Sequence, residues 1–287
     1  MKLTEAQMDF YRVFGFLIFR QLLSSDEMVL YNREFNPGIE AWLKYYKGKQ
    51  MKGRRRKVYL NEYGLDYQIC VPLMDHDTPF ICSLLDDHRF VDTAEQLLGT
   101  DVLGIWSDAA WFYGDTQWHT DQVTSKYRAV KFAIYPDPLN ESNGALRVIP
   151  GSHHDSFSKH VNDETAGIDT CKKYGIPPDE MPAYVFRLGP GDVVAFGNPL
   201  WHASYNGGKR RRLGVVMFTE DPKTPYALDN IQRIMHNMHK RLAVHFGGQF
   251  YPDYWRSIDN PRHQNWVRRL KELDMLETAE AAAYKGN

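Results

Sequence analysis

Short hydrophobic runs that end at glycine or proline dominate the middle of the chain. The first of them stops at the Pro-Asp-Pro cluster of residues 136–138, and the second stops at Pro150-Gly151. Proline cannot continue a strand ladder, and glycine and asparagine favour tight turns, so each run is predicted to be a short β-strand. The pattern predicts a mainly β fold, either a sandwich or a jelly-roll barrel. The runs lie at residues 130–135, 145–149, 193–196 and 213–218.

Helical patterns flank this β-rich region. Apolar residues recur at helical spacing through residues 227–246, and residues 266–283 have the pattern of a further helix. No repeat or linker-like tract separates these helices from the strands, so we predict one domain over residues 1–287. Its core covers about residues 4–222. The C-terminal helical extension, residues 224–287, is predicted to pack on the barrel or on a second subunit.

Composition and charge narrow the class of protein. The chain is 43% hydrophobic and 25% charged, with a formal net charge of −1, which gives no overall indication of a nucleic-acid partner or an anionic membrane surface. No window of eighteen apolar residues is present, so no membrane span is predicted. Cys70, Cys82 and Cys171 are odd in number and widely spaced, which favours a reducing compartment over a disulfide framework. We therefore expect a cytoplasmic protein.

The most specific chemical signal is a His-x-Asp pair followed by one distant histidine. His119 and Asp121 are two residues apart, so on a strand both side chains would point to the same face. His202 supplies a second imidazole. Two histidines and one carboxylate form the facial set that leaves half of an octahedral Fe(II) open for oxygen and a cosubstrate. The sequence therefore predicts a non-haem iron site.

Longer strings around these residues resemble the phytanoyl-CoA dioxygenase family. The string Asn143-Gly144-Ala145-Leu146-Arg147-Val148-Ile149-Pro150-Gly151-Ser152-His153 is similar to one that follows the His-x-Asp strand in that family, and Gly191-Asp192-Val193-Val194 before the distal histidine also matches. The resemblance runs from about residue 4 to about 222. It implies a double-stranded β-helix that binds Fe(II), 2-oxoglutarate and oxygen, with His119, Asp121 and His202 as the metal ligands.

The resemblance also implies which residues hold 2-oxoglutarate. The family places a basic residue at the start of the strand after the distal histidine, and this position is Arg212 or Arg211. A buried dicarboxylate needs a planar, permanently charged group, which arginine provides. We favour Arg212, because Gly214 shares its face and leaves room for the cosubstrate. Ser204 and the aromatic Phe132 occupy further positions where the family contacts 2-oxoglutarate. The alternatives are a solvated turn for Ser204 and a packed core aromatic for Phe132.

Candidates for substrate contacts come from aromatic residues before the His-x-Asp pair. In similar proteins such segments line the substrate pocket, which points to Trp111, Tyr113 and Tyr63. The basic run at residues 54–57 is expected to be a solvated loop, unless it folds over the barrel mouth and pairs with an anionic substrate. Halogenating relatives replace the aspartate by a small residue. Because this chain keeps Asp121, oxygen insertion is the expected chemistry.

Three functional hypotheses follow from these observations. The first is an Fe(II)- and 2-oxoglutarate-dependent dioxygenase that hydroxylates a small metabolite or natural-product intermediate. The second is a cupin-like iron oxygenase without a cosubstrate, which has no use for a buried arginine. The third is a catalytically silent barrel that serves as a binding protein. The substrate, the oligomeric state and the choice among hydroxylation, desaturation, epoxidation and cyclisation stay open at this stage.

Overall fold

A computed structural model describes the chain over five ranges, residues 1–46, 68–121, 128–157, 173–242 and 250–276. Within these ranges, none of the helices has both the length and the apolar character that a membrane crossing requires. Several residues singled out in the sequence lie outside the described residues: Tyr63, Cys171 and the basic run at 54–57.

Two antiparallel sheets form the centre of the described structure. The strands of both sheets are β1 Phe16–Phe19, β2 Gln68–Pro72, β3 Val102–Phe112, β4 Thr116–His119, β5 Ala129–Ile134, β6 Leu146–Val148, β7 Tyr184–Val185, β8 Val193–Gly197, β9 His202–Ser204 and β10 Arg211–Glu220. The larger sheet has the order β1-β8-β5-β10-β3-β2, and the smaller sheet has the order β4-β9-β6-β7. The predicted jelly roll is confirmed, as two separate sheets in place of a closed barrel.

Helices pack against the larger sheet. They are α1 Glu5–Phe14, α2 Ser25–Tyr46, α3 Pro79–Ser83, α4 His88–Leu98, α5 Pro225–Leu242, α6 Asp253–Arg256 and α7 Pro261–Glu272. The first begins at a capping box, in which the Thr4 side chain accepts from the Gln7 backbone N–H and the Gln7 side chain accepts from Thr4. It ends at Gly15, whose φ of 84° suits a left-handed cap.

The C-terminal extension packs directly on the larger sheet. Trp266 of α7 is buried, and its indole Nε1–H donates to the carbonyl oxygen of Val102 at 2.9 Å. Gly104 provides the space for this ring, because a Cβ there would lie 2.7 Å from the indole. Ile231 and Met235 of α5 belong to the same core. The described parts of the extension thus contribute to the core beneath the larger sheet.

Candidate active site

A cavity of about 350 Å³ lies between the two sheets. The pleat of a strand sends alternate side chains to opposite faces, so every second residue of β3 and β10 reaches this cavity. The smaller sheet closes the opposite side with β4, β6 and β9. The cavity-facing side chains of the two long strands are Trp106, Asp108, Ala110, Phe112, Arg211, Leu213, Val215 and Met217.

His119, Asp121 and His202 meet at the wall formed by the smaller sheet. His119 ends β4 and is the register partner of His202, which begins β9. One ligand atom from each of the three residues lies within 4.8 Å of the others, and His202 Nε2 is 3.4 Å from Asp121 Oδ2. The backbone N–H of Asp121 donates to the carbonyl oxygen of Asn198 at 3.2 Å, which fixes the segment just past β4.

The hydrogen bonds of the two imidazoles set their tautomers. His119 Nδ1 lies 2.7 Å from the Gln117 carbonyl oxygen, and His202 Nδ1 lies 2.9 Å from the Leu200 carbonyl oxygen. A carbonyl only accepts, so each Nδ1 must carry the hydrogen and each Nε2 keeps a lone pair for a metal. Metal-binding histidines usually donate their other ring N–H to a carbonyl or carboxylate in this way, which fixes the orientation of the ring.

The charges of the three side chains also suit a divalent cation. Burial, assisted by nearby His119, lowers the pKa of His202 to about 3, so its imidazole stays neutral. Burial opposes ionisation of Asp121, but Lys131 and the two histidines outweigh it and lower the pKa of this carboxyl. Metal ligation requires neutral imidazole and ionised carboxylate. The donor set therefore fits the two-histidine, one-carboxylate site of non-haem Fe(II).

Arg211 is the arginine that faces the cavity. Its residue is only 9% exposed, and Nη1 donates to the carbonyl oxygen of Gly144 at 2.5 Å. Nη2 lies 3.5 Å from Thr116 Oγ1, and the buried Nε has no hydrogen-bond partner among the described residues. None of the carboxylates in the described ranges forms an ion pair with it. A buried guanidinium in this state could receive an anionic group of a ligand.

Arg212 lies on the opposite face of β10, and the sequence-based preference for it is corrected here. Its Nε and Nη2 donate to the two carboxylate oxygens of Asp137 at 2.7 and 2.5 Å, and its Nη1 donates to Asn32 at 2.7 Å. The reason for that preference was the space at Gly214. The Tyr31 hydroxyl fills it, because a Cβ on Gly214 would lie 1.5 Å from that oxygen.

The side chain of Phe132 lies on the face of β5 that points away from the cavity, so it does not have the predicted contact with 2-oxoglutarate. Its ring is fully buried in the core, with centroids 5.3 Å from Phe90 and 5.8 Å from Phe218. Its neighbours Lys131 and Ala133 line the cavity instead. A shift of one residue along a strand exchanges the two faces, so Phe132 supports the fold and does not contact the cavity.

Tyr135 is the aromatic residue that follows β5 into the cavity. Burial raises its pKa to about 12, with nearby Arg211 acting in the opposite direction, so the hydroxyl keeps its proton and can donate. Ser204 lines the cavity as predicted, and its hydroxyl donates to the carbonyl oxygen of Gly144 at 2.9 Å. These groups surround Arg211 at one end of the cavity.

Replacement of Gly144 by alanine is expected to raise the KM for 2-oxoglutarate on the order of tenfold to a hundredfold, with a smaller change in kcat. Gly144 has a φ of 90°, and a Cβ there would lie 2.8 Å from Arg211 Cδ and 2.8 Å from Gly207 Cα. The guanidinium would therefore move. Gly99→Ala is the matched control, because Gly99 has a φ of 64° with nothing within 4 Å. Equal KM values in the two variants would contradict this role for Gly144.

The aromatic substrate candidates on β3 do not reach the cavity. Trp111 is buried on the other face of the strand, under the guanidinium of Arg210 at 5.0 Å. Tyr113 follows β3 and packs against the hydrophobic core. Both predictions assumed that the strand would present these rings to the ligand, whereas Phe112 holds the cavity-facing position.

Sequence reasoning missed several cavity residues. Asp108 and Lys131 bring charge to it, and Asn198 brings a polar side chain. Ile234 and Met238 of α5 add an apolar surface. No motif identifies such residues in a single sequence. For Asp108 and Lys131 the one usable signal was a charged residue in the middle of a hydrophobic strand, where burial requires a partner or a ligand.

The sequence pattern of the phytanoyl-CoA dioxygenase (PhyH) family matches residues 11–213. This stretch contains all three metal-ligand candidates and Arg211. The chain belongs to the phytanoyl-CoA dioxygenase family. It is therefore a non-haem iron dioxygenase that uses Fe(II), 2-oxoglutarate and oxygen, as the resemblance implied. Helix α5, which contributes to the cavity, lies beyond the matched residues.

The names of the curated relatives that match this chain indicate small-molecule substrates for those relatives. An ectoine dioxygenase of Streptomyces anulatus is 23% identical over 244 residues, which cover 76% of this chain and 72% of the relative. L-proline trans-4-hydroxylase of Streptomyces griseoviridis is 30% identical over 172 residues, covering 50% of this chain and 64% of the relative. For an ectoine dioxygenase of Streptomyces avermitilis the match covers about half of each chain, 53% and 52%.

Solved structures show the same fold at low sequence identity. The crystal structure of EctD from S. alaskensis with 2-oxoglutarate and 5-hydroxyectoine aligns with a TM-score of 0.52 at 17% identity, covering 76% of each chain. The carbocyclase SnoK from nogalamycin biosynthesis aligns with a TM-score of 0.57 at 17% identity, covering 77% of this chain and 85% of SnoK. This likeness establishes the fold.

Proposed function

We propose that this dioxygenase hydroxylates an unactivated C–H bond of a small metabolite or natural-product intermediate, with release of succinate and CO2. The observation that carries the proposal is the convergence of His119, Asp121, His202 and Arg211 on one cavity. The first three offer a metal site and the fourth offers a receptor for the distal carboxylate of 2-oxoglutarate. Arg211 replaces Arg212 in this role.

The side chains divide the work between them. His119, Asp121 and His202 would hold Fe(II), which supplies the oxygen activation that no protein side chain can perform. Arg211 and the protonated Tyr135 would orient 2-oxoglutarate through its distal carboxylate, with Ser204 beside them. The apolar walls of the cavity keep water away from the reacting groups, which limits side reactions.

The size of the cavity supports a small substrate. Ligand cavities commonly measure about 300–1,000 Å³, and this one is at the lower end at about 350 Å³ before 2-oxoglutarate takes its share. The names of the curated relatives, ectoine dioxygenase and L-proline trans-4-hydroxylase, agree with this scale.

The two alternative functions account less well for Arg211. An iron oxygenase without a cosubstrate would leave a buried guanidinium with no anion, and a silent binding protein would have no reason to orient two imidazoles around a carboxylate. Burying an uncompensated charge costs several kcal/mol. A turnover assay separates the three functions, because only the proposed one consumes 2-oxoglutarate and forms succinate.

Turnover under labelled oxygen is expected to place one oxygen atom in succinate and one in the hydroxylated product. Asp121 occupies the third ligand position, so a high chloride concentration should yield no halogenated product. Mass spectrometry of both products, in a screen of small metabolites, makes the measurement. A desaturated or cyclised product without label would overturn hydroxylation and preserve the iron site. Turnover that does not require 2-oxoglutarate would overturn the cosubstrate.

A further inference from the structure

Lys131 is the cavity cation that the proposed chemistry leaves unassigned. It lies in β5, and its side chain is 16% exposed. Its ammonium pairs with the carboxylate of Asp121 and lies 5.7 Å from the centroid of the Phe196 ring. Within the described part of the chain, Asp121 is its one carboxylate partner. A lysine this well buried depends on that partner.

Metal loading changes the electrostatics of this pair. Asp121 faces His119 and His202 as well as Lys131, and in a loaded site its negative charge would serve a divalent cation. The metal charge would be balanced by Asp121 together with the keto-acid carboxylate of 2-oxoglutarate, so neither carboxylate would be left to compensate the ammonium of Lys131. A largely buried ammonium needs a counter-ion of its own. The loaded enzyme therefore calls for an additional anion at Lys131.

The distal carboxylate of 2-oxoglutarate is not that anion. Lys131 is the register partner of Met217, whereas Arg211 begins the same strand β10 six residues earlier. Six residues of strand separate these two backbone positions by about 20 Å, and the charged groups contact different residues, Thr116 for the guanidinium and Asp121 for the ammonium. The two cations thus enter the cavity from opposite ends, with the metal-ligand candidates beside Lys131. A carboxylate held by Arg211 cannot also neutralise Lys131.

We propose that Lys131 binds a carboxylate of the substrate, which makes small carboxylic acids, such as amino or hydroxy acids, the substrate class of this enzyme. The inference rests on the proposed function and deepens it. Trp106 and Met217 lie at the level of Lys131, and Ile234 and Met238 extend this apolar surface for the carbon skeleton. Because Lys131 contacts a metal ligand directly, the oxidised carbon lies only a few bonds from the carboxylate.

The first test measures anion binding without turnover. Wild-type enzyme loaded with Mn(II) and 2-oxoglutarate under anaerobic conditions is expected to gain thermal stability with propionate and none with propionamide. Lys131→Met, which keeps the length of the side chain and removes its charge, should lose the propionate effect. Lys131→Arg should keep it. Lys223→Met is the control, because Lys223 lies outside the cavity and contacts Thr100.

Two outcomes of this test would overturn the proposal. Propionate stabilisation that persists in Lys131→Met would show that the carboxylate binds the metal or Arg211. A wild-type enzyme that propionate does not stabilise would show that Lys131 is no anion receptor. Failure of the proposed function would give a different result. The wild-type enzyme would then not bind Mn(II) together with 2-oxoglutarate, and it would not form succinate.

The second test separates substrate, cosubstrate and structural roles. Lys131→Met is expected to bind Mn(II) about tenfold more tightly than wild type, because the competing ammonium is gone. Its dissociation constant for 2-oxoglutarate should stay within about twofold of wild type. Weaker 2-oxoglutarate binding would assign Lys131 to the keto-acid end of the cosubstrate. Weaker Mn(II) binding would mean that Lys131 only orients Asp121. Either result would overturn the proposal.

Discussion

Replacement of His202 by alanine is expected to lower iron affinity by more than about a hundredfold and to abolish turnover while the fold stays intact. Three protein ligands already leave half of the metal's positions open, so a fourth open position leaves iron weakly held. His202 faces the cavity, and among the described residues the one core ring it contacts is Phe196 at a centroid distance of 5.1 Å, so we expect only a modest loss of stability. Metal content of the purified variant, measured together with its melting temperature, decides the outcome.

Two further variants make this result specific. Asp121→Ala should lose iron in the same way, because the carboxylate supplies the negative charge of the site. His88→Ala should keep iron at the wild-type level, since His88 is 71% exposed at the start of α4. Iron content near wild type in His202→Ala would refute the assignment of the three ligands, whatever the activity.

Replacement of Arg211 by alanine is expected to raise the KM for 2-oxoglutarate by about 30-fold or more. Loss of one partner from a buried, hydrogen-bonded charge pair costs about 2–5 kcal/mol, and each 1.4 kcal/mol corresponds to a factor of about ten in affinity. Arg211 faces the cavity, and its buried Nε has no hydrogen-bond partner among the described residues. Steady-state kinetics at varied 2-oxoglutarate concentration, at saturating iron, gives the number.

Arg212→Ala is the matched comparison, one residue away on the same strand. Arg212 pairs with Asp137, whose side chain is 47% exposed and can be hydrated when the arginine is removed. The variant should therefore lose about 1 kcal/mol of stability and keep its KM for 2-oxoglutarate. Denaturant unfolding and kinetics on the same preparation separate the two effects. A larger KM change in Arg212→Ala than in Arg211→Ala would reverse the assignment.

The elements of the sheets were predictable because their signals are local. The run at 213–218 corresponds to the longer strand β10, Arg211–Glu220, and the run at 193–196 corresponds to β8, Val193–Gly197. Turn residues at the ends of these runs carry the information. The ligand set was equally accessible, because two of its members are only two residues apart in sequence. Asp121 lies just past the end of β4, and its backbone hydrogen bond to Asn198 brings its carboxylate to the same site as His119.

The errors at the site come from strand faces, which a short hydrophobic run does not encode. β5 is apolar on both faces except at Lys131, so the period of two that would separate Phe132 from its neighbours is hidden. The choice between Arg211 and Arg212 depended on Tyr31, which reaches Gly214 from a helix about 180 residues away in sequence. Contacts of that range are set by tertiary packing, and a single sequence does not display them.

Ile234 and Met238 line the cavity from outside the residues that match the family pattern. The iron ligands and Arg211 lie within residues 11–213, whereas these two side chains come from α5, which begins at Pro225. Replacing Ile234 and Met238 by alanine would keep every group proposed to hold the metal and 2-oxoglutarate, but it would widen the cavity at this boundary. We expect cosubstrate consumption and product formation to become less tightly coupled in such a variant. The lining from α5 is therefore a place where selectivity can change without any change at the iron ligands or Arg211.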